Sequence, residues 1–265
     1  MALHTPKYTA PRRRKKRILP VLLFVLGFAL AAFASFQLWQ GHRDDAAAQG
    51  EYTELRNMLH AISLPADQAH PAPDDPDAPD IPPAEERPNP MQGFIDLNPD
   101  FAGWISVGGT PIDYPVVRGA DNEAYLQTTF NGERNPAGAI FMDYRAVSGF
   151  STPLVILYGH NMRDGSMFAS LYRFLDPDFL RQYPHIAIIT ETGERLVYRI
   201  FDVQRTNAWD SVYTLDFHDP HKVAAFFSAA PDGTSRFLLL STCYGSDRNA
   251  RLLVYAALLE NGGVL

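Results

Sequence analysis

Cysteine is almost missing from this chain: Cys243 is the only one in 265 residues. That excludes an internal disulfide and any architecture stapled by several of them. Acidic residues are missing from the start, the first being Asp44. Six of the 23 Lys and Arg residues form one block there, Arg12-Arg13-Arg14-Lys15-Lys16-Arg17, so with a formal net charge of −7 the remainder is distinctly acidic. An acidic body repels phosphates, which argues against a nucleic-acid binder. Internal repeats are absent too.

Charge is also missing from "ILPVLLFVLGFALAAFASF", residues 18–36, directly after the basic block. Nineteen helical residues rise about 28 Å, close to the hydrocarbon thickness of a bilayer. The expected reading is a cytoplasmic basic tail at 1–17, a transmembrane anchor at 18–39, and the rest outside by the positive-inside rule. Ala32-Phe33-Ala34 resembles a signal-peptide cleavage site, but the apolar stretch runs long for a signal sequence. Residues 40–64 read as a juxtamembrane helix, with Tyr52, Leu55, Met58, Leu59 and Ile62 near helical spacing. Residues 65–90 hold nine of the 21 prolines, with Asp and Glu between them. This composition predicts an extended linker that packs no core. The folded domain is expected over 91–265.

From Met91 onward the pattern is short strands punctuated by Gly, Pro, Asn and Asp. Strands are expected at 103–107, 112–117, 139–143, 153–159, 185–190, 194–206, 236–242 and 251–259. Helical patterns interrupt them at 165–182 and 219–230, the second started by Asp219-Pro220. Eight short strands predict a mainly β domain, a closed barrel or a sandwich, with helical insertions.

Cys243 ends one apolar run in "LLLSTCYGSDRNARLLVYAALL" (238–259), and Arg251 begins the next. If the two strands are neighbours, the guanidinium reaches the space beside the sulfur, where it favours thiolate and steadies an oxyanion. Without a partner base, the same cysteine reads as a small buried apolar side chain. His160 supplies a candidate base: it ends the apolar strand 153–159 and opens the polar turn "GHNMRDGSMF". A strand-end His and a strand-end Cys can share one rim. His218 and His221 bracket Asp219-Pro220, but no cysteine or further histidine lies close in sequence, so no metal site is expected.

"YGHNMRDGSMFASL" (158–171), "LLLSTCYGSDRNAR" (238–251), "NPDFAGWISVGGTPIDYPVVRGADNEAYL" (98–126) and "GAIFMDYR" (138–145) resemble segments of class B sortases, cysteine transpeptidases of Gram-positive surfaces. The resemblance spans about 93–259. It implies a sortase-type eight-stranded β-barrel behind a transmembrane helix, with a helix before the penultimate strand. It implies His160, Cys243 and Arg251 as the catalytic trio, with Tyr158, Ser241, Asn122 and Leu126 lining a peptide groove. It implies no cofactor and no metal. The implied partners are surface proteins bearing a C-terminal sorting motif of the Asn-Pro-x-Thr type or a relative, and an amine of peptidoglycan precursor or a pilin lysine. The stretch Tyr244-Gly245-Ser246-Asp247 departs from the Thr-Tyr-Glu-Phe type sequence of many class B members.

Other cell-wall cysteine enzymes fit less well. L,D-transpeptidases place His-Gly before the cysteine, where this chain has Ser241-Thr242, and papain-like and NlpC/P60-type peptidases place the cysteine before the main histidine. A catalytically silent, membrane-tethered interaction module is the reading of a different class, and it does not require the coincidence of His160, Cys243 and Arg251.

Overall fold

The computed structural model describes residues 18–62 and 88–259, apart from 229, 232 and 246. The basic tail, most of the Pro/Asp-rich stretch and residues 260–265 lie outside the described residues. The chain forms two compact units, Met1–Arg43 and Asp44–Leu265. Helix α1, Ile18–His60, contributes to both.

Within the first unit, the helix from Leu22 is long and apolar enough to cross a membrane, and Phe24, Phe28, Phe33 and Trp39 stand exposed along it. Within the second unit, the part of α1 from Asp44 is amphipathic. Ala48, Tyr52, Leu55 and Leu59 recur at three- and four-residue spacing and are buried in the main core, with Met58 and Ile62 packed beside them.

The strands are β1 Phe101–Val107, β2 Asp113–Val117, β3 Ile140–Met142, β4 Leu154–Tyr158, β5 His185–Thr190, β6 Arg195–Asn207, β7 Phe237–Cys243 and β8 Ala250–Leu258. They close a barrel in the order β1-β2-β3-β4-β7-β8-β6-β5. All eight expected strands are present, each bound within two residues of the expected one. The β2–β3 and β4–β7 pairs are parallel and the others antiparallel. Parallel neighbours need long crossovers, which is why β5 and β6 intervene in sequence between β4 and β7.

β4 and β7 read as unbroken apolar runs because both of their faces are covered. Val155, Leu157, Leu238 and Leu240 point into the barrel core. Leu154, Ile156 and Leu239 belong to a second core outside the barrel, closed over by Val212, Phe217, Val223 and Phe227 of the long β6–β7 connection. That connection carries a 3-10 turn, Ser211–Thr214, and helix α4, Pro220–Phe226. Asp219 starts α4 as expected, its carboxylate accepting from the His221 and Lys222 amides.

The helical pattern at 165–182 is not one helix. It is a 3-10 segment, Ala169–Leu175, followed by helix α3, Pro177–Gln182. Pro177 has no N–H to continue the ladder and pushes Asp176 into an extended conformation (ψ 117), where Asp176 caps the new helix. A short helix α2, Gln92–Leu97, also forms where no helix was expected. Six residues are too few for periodicity to register; tertiary packing of Phe94 on Phe101 and Trp104, at 5.2 and 5.5 Å between ring centroids, holds it.

Candidate active site

Strand parity places the candidate residues. Side chains two apart share a face, and residues in register on neighbouring strands, parallel or antiparallel, share it too. Leu154, Ile156 and Tyr158 of β4 therefore face the outside of the barrel with Leu239, Ser241 and Cys243 of β7. The β4–β7 register pairs Tyr158 with Ser241. The β7–β8 register pairs Ser241 with Leu253 and Cys243 with Arg251. The apolar members of this face are buried under the β6–β7 connection, whereas at the strand ends the face opens into a cleft of about 350 Å³. Asn122, Leu126, Tyr158, His160, Ser241, Cys243 and Arg251, all seven residues singled out from the sequence, line this one cleft. Phe141, Arg145, Gly159, Ala208, Tyr213 and Thr242 complete it.

Cys243 is exposed at the last position of β7. The loop carrying His160 is tied to it: Asn161 Nδ2 donates to the Cys243 carbonyl at 3.1 Å, and Thr242 Oγ1 donates to the Gly159 carbonyl at 2.7 Å. His160 Nε2 lies 2.7 Å from the Leu126 carbonyl. A carbonyl only accepts, so Nε2 carries the hydrogen and Nδ1 is left to exchange a proton. Arg251 Nη1 donates to the Arg248 and Ala250 carbonyls at 2.8 and 3.0 Å, which leaves Nε and Nη2 for other acceptors. A thiol, an imidazole with one uncommitted nitrogen and a guanidinium thus border one cleft, the set needed for acyl transfer through a thioester.

Sequence reading missed the ion pair behind the cleft. Asp143, fully buried just past β3, accepts from Arg145 Nε and Nη2 at 2.8 and 2.7 Å, from the Tyr158 hydroxyl at 2.9 Å and from Asn122 Nδ2 at 3.1 Å. Burial pushes the Asp143 carboxyl up, but the hydrogen bonds from Arg145 and Tyr158 outweigh it and hold the group below its ordinary value. Burial, with Asp143 beside it, pushes the Tyr158 phenol well above its ordinary value, so it stays a donor. Arg145 Nη1 continues to the Tyr213 carbonyl at 2.8 Å, and the Tyr213 hydroxyl meets Ser241 Oγ at 2.7 Å. One carboxylate thereby fixes Asn122, Tyr158 and, through Arg145, the β6–β7 connection. The available signal was an acid ending an apolar strand run, with an arginine two residues on. Tyr213 carried no such signal, since it reaches the cleft only through tertiary folding.

Comparison with known proteins identifies the family and the fold. Residues 105–259 match the sortase domain family. A sortase B of Listeria monocytogenes is 38% identical over 166 residues, 58% of this chain, and the chain spans 66% of that protein's length. The crystal structure of sortase B from B. anthracis in complex with AAEK1 superposes with a TM-score of 0.66 at 27% identity, covering 82% of this chain and 99% of the other. A Streptococcus pyogenes class B sortase involved in pilus biogenesis superposes with a TM-score of 0.56 at 28% identity, over 64% of this chain and 97% of the other.

Proposed function

The chain belongs to the sortase family and is sortase B-like, and from that membership we propose a membrane-anchored cysteine transpeptidase that cleaves a sorting motif after Thr. The Cys243 thiolate attacks the Thr carbonyl carbon. Arg251 steadies the resulting oxyanion, and His160 gives a proton to the departing amine as the C–N bond breaks. The thioester then passes its acyl group to an incoming amine, whose proton His160 takes. Residues 18–39 anchor the enzyme as a single-pass type II protein with the barrel outside the cell, and the basic tail stays cytoplasmic.

The observation that carries this reading is the Cys243–Arg251 cross-strand pair at the mouth of the cleft that His160 also lines. A binding module needs no such coincidence. The substrate-side roles of Asn122, Leu126, Tyr158 and Ser241 are supported by their place along the same cleft. The acceptor we favour is a peptidoglycan amine. Because a class B sortase similar to this chain is involved in pilus biogenesis, a pilin-type lysine is the second acceptor to test.

The test is incubation of the full chain in detergent with NPQTN-, SPKTG- and LPXTG-type peptides, followed by intact-mass spectrometry. We expect a motif-dependent acyl adduct that Cys243→Ala abolishes. Supplying a glycine-type or lysine-type amine should release it, and the preferred amine identifies the acceptor class. An unreactive Cys243 and no adduct with any motif would sink the reading in favour of a silent module.

A further inference from the structure

Both ends of His160 are held by contacts that lead back to α1. On the backbone side, the His160 carbonyl accepts from the Phe168 amide at 2.9 Å. The neighbouring Met167 has φ 54, the one positive φ outside glycine among the described residues. Its amide donates to the Tyr114 hydroxyl at 3.2 Å. The Tyr114 ring in turn packs edge-on against Tyr52 of α1 at 5.2 Å. The turn between is pinned as well. Gln49 Nε2 of α1 donates to Asp164 Oδ2 at 2.9 Å, and Asp164 Oδ1 accepts from the Ser166 amide and hydroxyl at 3.0 and 2.7 Å.

On the ring side, His160 Nε2 is held by the Leu126 carbonyl. Gly138 lies against that peptide, close enough that a Cβ there would sit 2.7 Å from the Leu126 carbonyl oxygen. The Tyr52 hydroxyl donates to the Gly138 carbonyl at 2.6 Å, and Tyr52 is only 2% exposed. Glu51 and the Asp44 carbonyl accept from Asn131 and Asn135 of the same loop, at 2.9 and 2.7 Å.

We propose that Tyr52 and Gln49 are positioning residues for His160, so that the docked part of α1 sets the rate of proton transfer at a cleft it does not line. The proposal rests on His160 being the acid–base group. Two physical points favour it over simple packing. A non-glycine residue held at positive φ persists only where its surroundings over-determine it, and α1 supplies part of that surrounding through Tyr52 and Tyr114. A buried hydroxyl is costly unless bonded; phenylalanine would fill the same space, whereas tyrosine adds a directional hold on the Gly138–Leu126 side. Misplacing a reacting group by roughly 1 Å can cost on the order of 10²-fold in rate.

The experiment compares the full chain with Tyr52→Phe, Gln49→Ala and the double variant. Tyr52→Phe keeps the ring, and Gln49 is a surface residue, so both should fold; a melting curve checks this. The maximum acylation rate should fall roughly tenfold in the double variant, while the half-saturating peptide concentration stays within about twofold. Alkylation of Cys243 by iodoacetamide should be unchanged, because the nucleophile is untouched. Amide exchange at Met167 and Phe168 should quicken in the absence of peptide. A wild-type maximum rate in the folded double variant, or a loss confined to half-saturation, would overturn the proposal. If wild type itself acylates with no peptide, the transpeptidase reading fails instead. The exchange measurement still decides the positioning claim, and unchanged protection at 167–168 rejects it.

Discussion

Cys243 and Arg251 are direct partners across the β7–β8 ladder, the pair at which that ladder ends beside the cleft. Thr206 of β6 pairs with Arg251 from the other side, so the arginine backbone is held between two strands while its side chain reaches the opening. The guanidinium is thus placed by register and by the Arg248 and Ala250 carbonyls, with no salt-bridge partner among the described residues. Replacing it should cost chemistry and little stability. Arg251→Ala should slow acylation by roughly 10²–10³-fold, the usual loss of one oxyanion donor. Arg251→Lys should recover only part of this, because a point charge does not reproduce the planar fork. Stopped-time mass spectrometry of the acyl-enzyme measures both, and a melting temperature unchanged from wild type separates them from unfolding.

Asp143 gives the cleft its own acid limit. Its carboxyl lies below the ordinary value when folded, despite burial, because Arg145 and Tyr158 bond the charged form. A group depressed in the folded state contributes stability that is fully present above its unfolded value, near ~3.9, and is lost as pH falls through the folded value. The network should therefore stay intact at neutral pH and fail only in strong acid. Asp143→Asn should remove that part of the acid dependence and leave Arg145 without its ion partner. Breaking a buried pair by removing one member costs about 3–5 kcal/mol, and since Arg145 is partly exposed the lower end is expected. Thermal unfolding of wild type and Asp143→Asn at a series of pH values should show the gap between them closing in acid.

The chain order of strands and the rim position of Cys243 were legible because apolar runs bounded by Gly and Pro report buried strands directly. His160, Cys243 and Arg251 were readable from the residues because each sits on or beside a strand end, where periodicity and punctuation coincide. Asn122, Leu126, Tyr158 and Ser241 came only from the family resemblance, and Asn122 and Leu126 lie in the long β2–β3 connection, where no strand pattern marks them. The Asp143–Arg145 pair was not legible as a site. Its meaning depends on Asn122, Tyr158 and Tyr213 arriving from three separate segments. The split at Asp176-Pro177 was readable in principle, but an apolar face running through it suggested one helix. The docking of α1 from Asp44 onto the barrel was hidden for another reason: its apolar face was visible, but the proline-rich stretch that follows suggested separation from the barrel.

Gly138 is where backbone geometry reaches the histidine. It has φ 57, and a Cβ there would lie 2.5 Å from the Tyr125 carbonyl oxygen and 2.7 Å from that of Leu126. Both obstacles are backbone, so no side chain can swing aside. Gly138→Ala should cost about 1–2 kcal/mol for the left-handed conformation alone, with further loss from the clash. Because Leu126 holds His160 Nε2, the displacement should also lower the acylation rate at saturating peptide. A variant with the expected fall in melting temperature but wild-type turnover would show that the Leu126 carbonyl does not matter to the histidine.

Phe227 is the outer core's anchor for the β6–β7 connection. It is 6% exposed, stacks on Phe237 of β7 at 4.6 Å between ring centroids, and meets Tyr255 of β8 at 5.7 Å. Phe227→Ala should cost about 3–5 kcal/mol if the site cannot collapse. The barrel interior is a separate cluster, so the variant should loosen the connection ahead of the barrel. Tyr213 rides on that connection, and its hydroxyl meets Ser241 while its carbonyl holds Arg145. Peptide capture should therefore weaken more than thiol reactivity: the half-saturating peptide concentration should rise several-fold, with Cys243 alkylation close to wild type. Equal losses in both would mean that the connection supports the nucleophile itself, and that Tyr213 is not what the insertion contributes to the cleft.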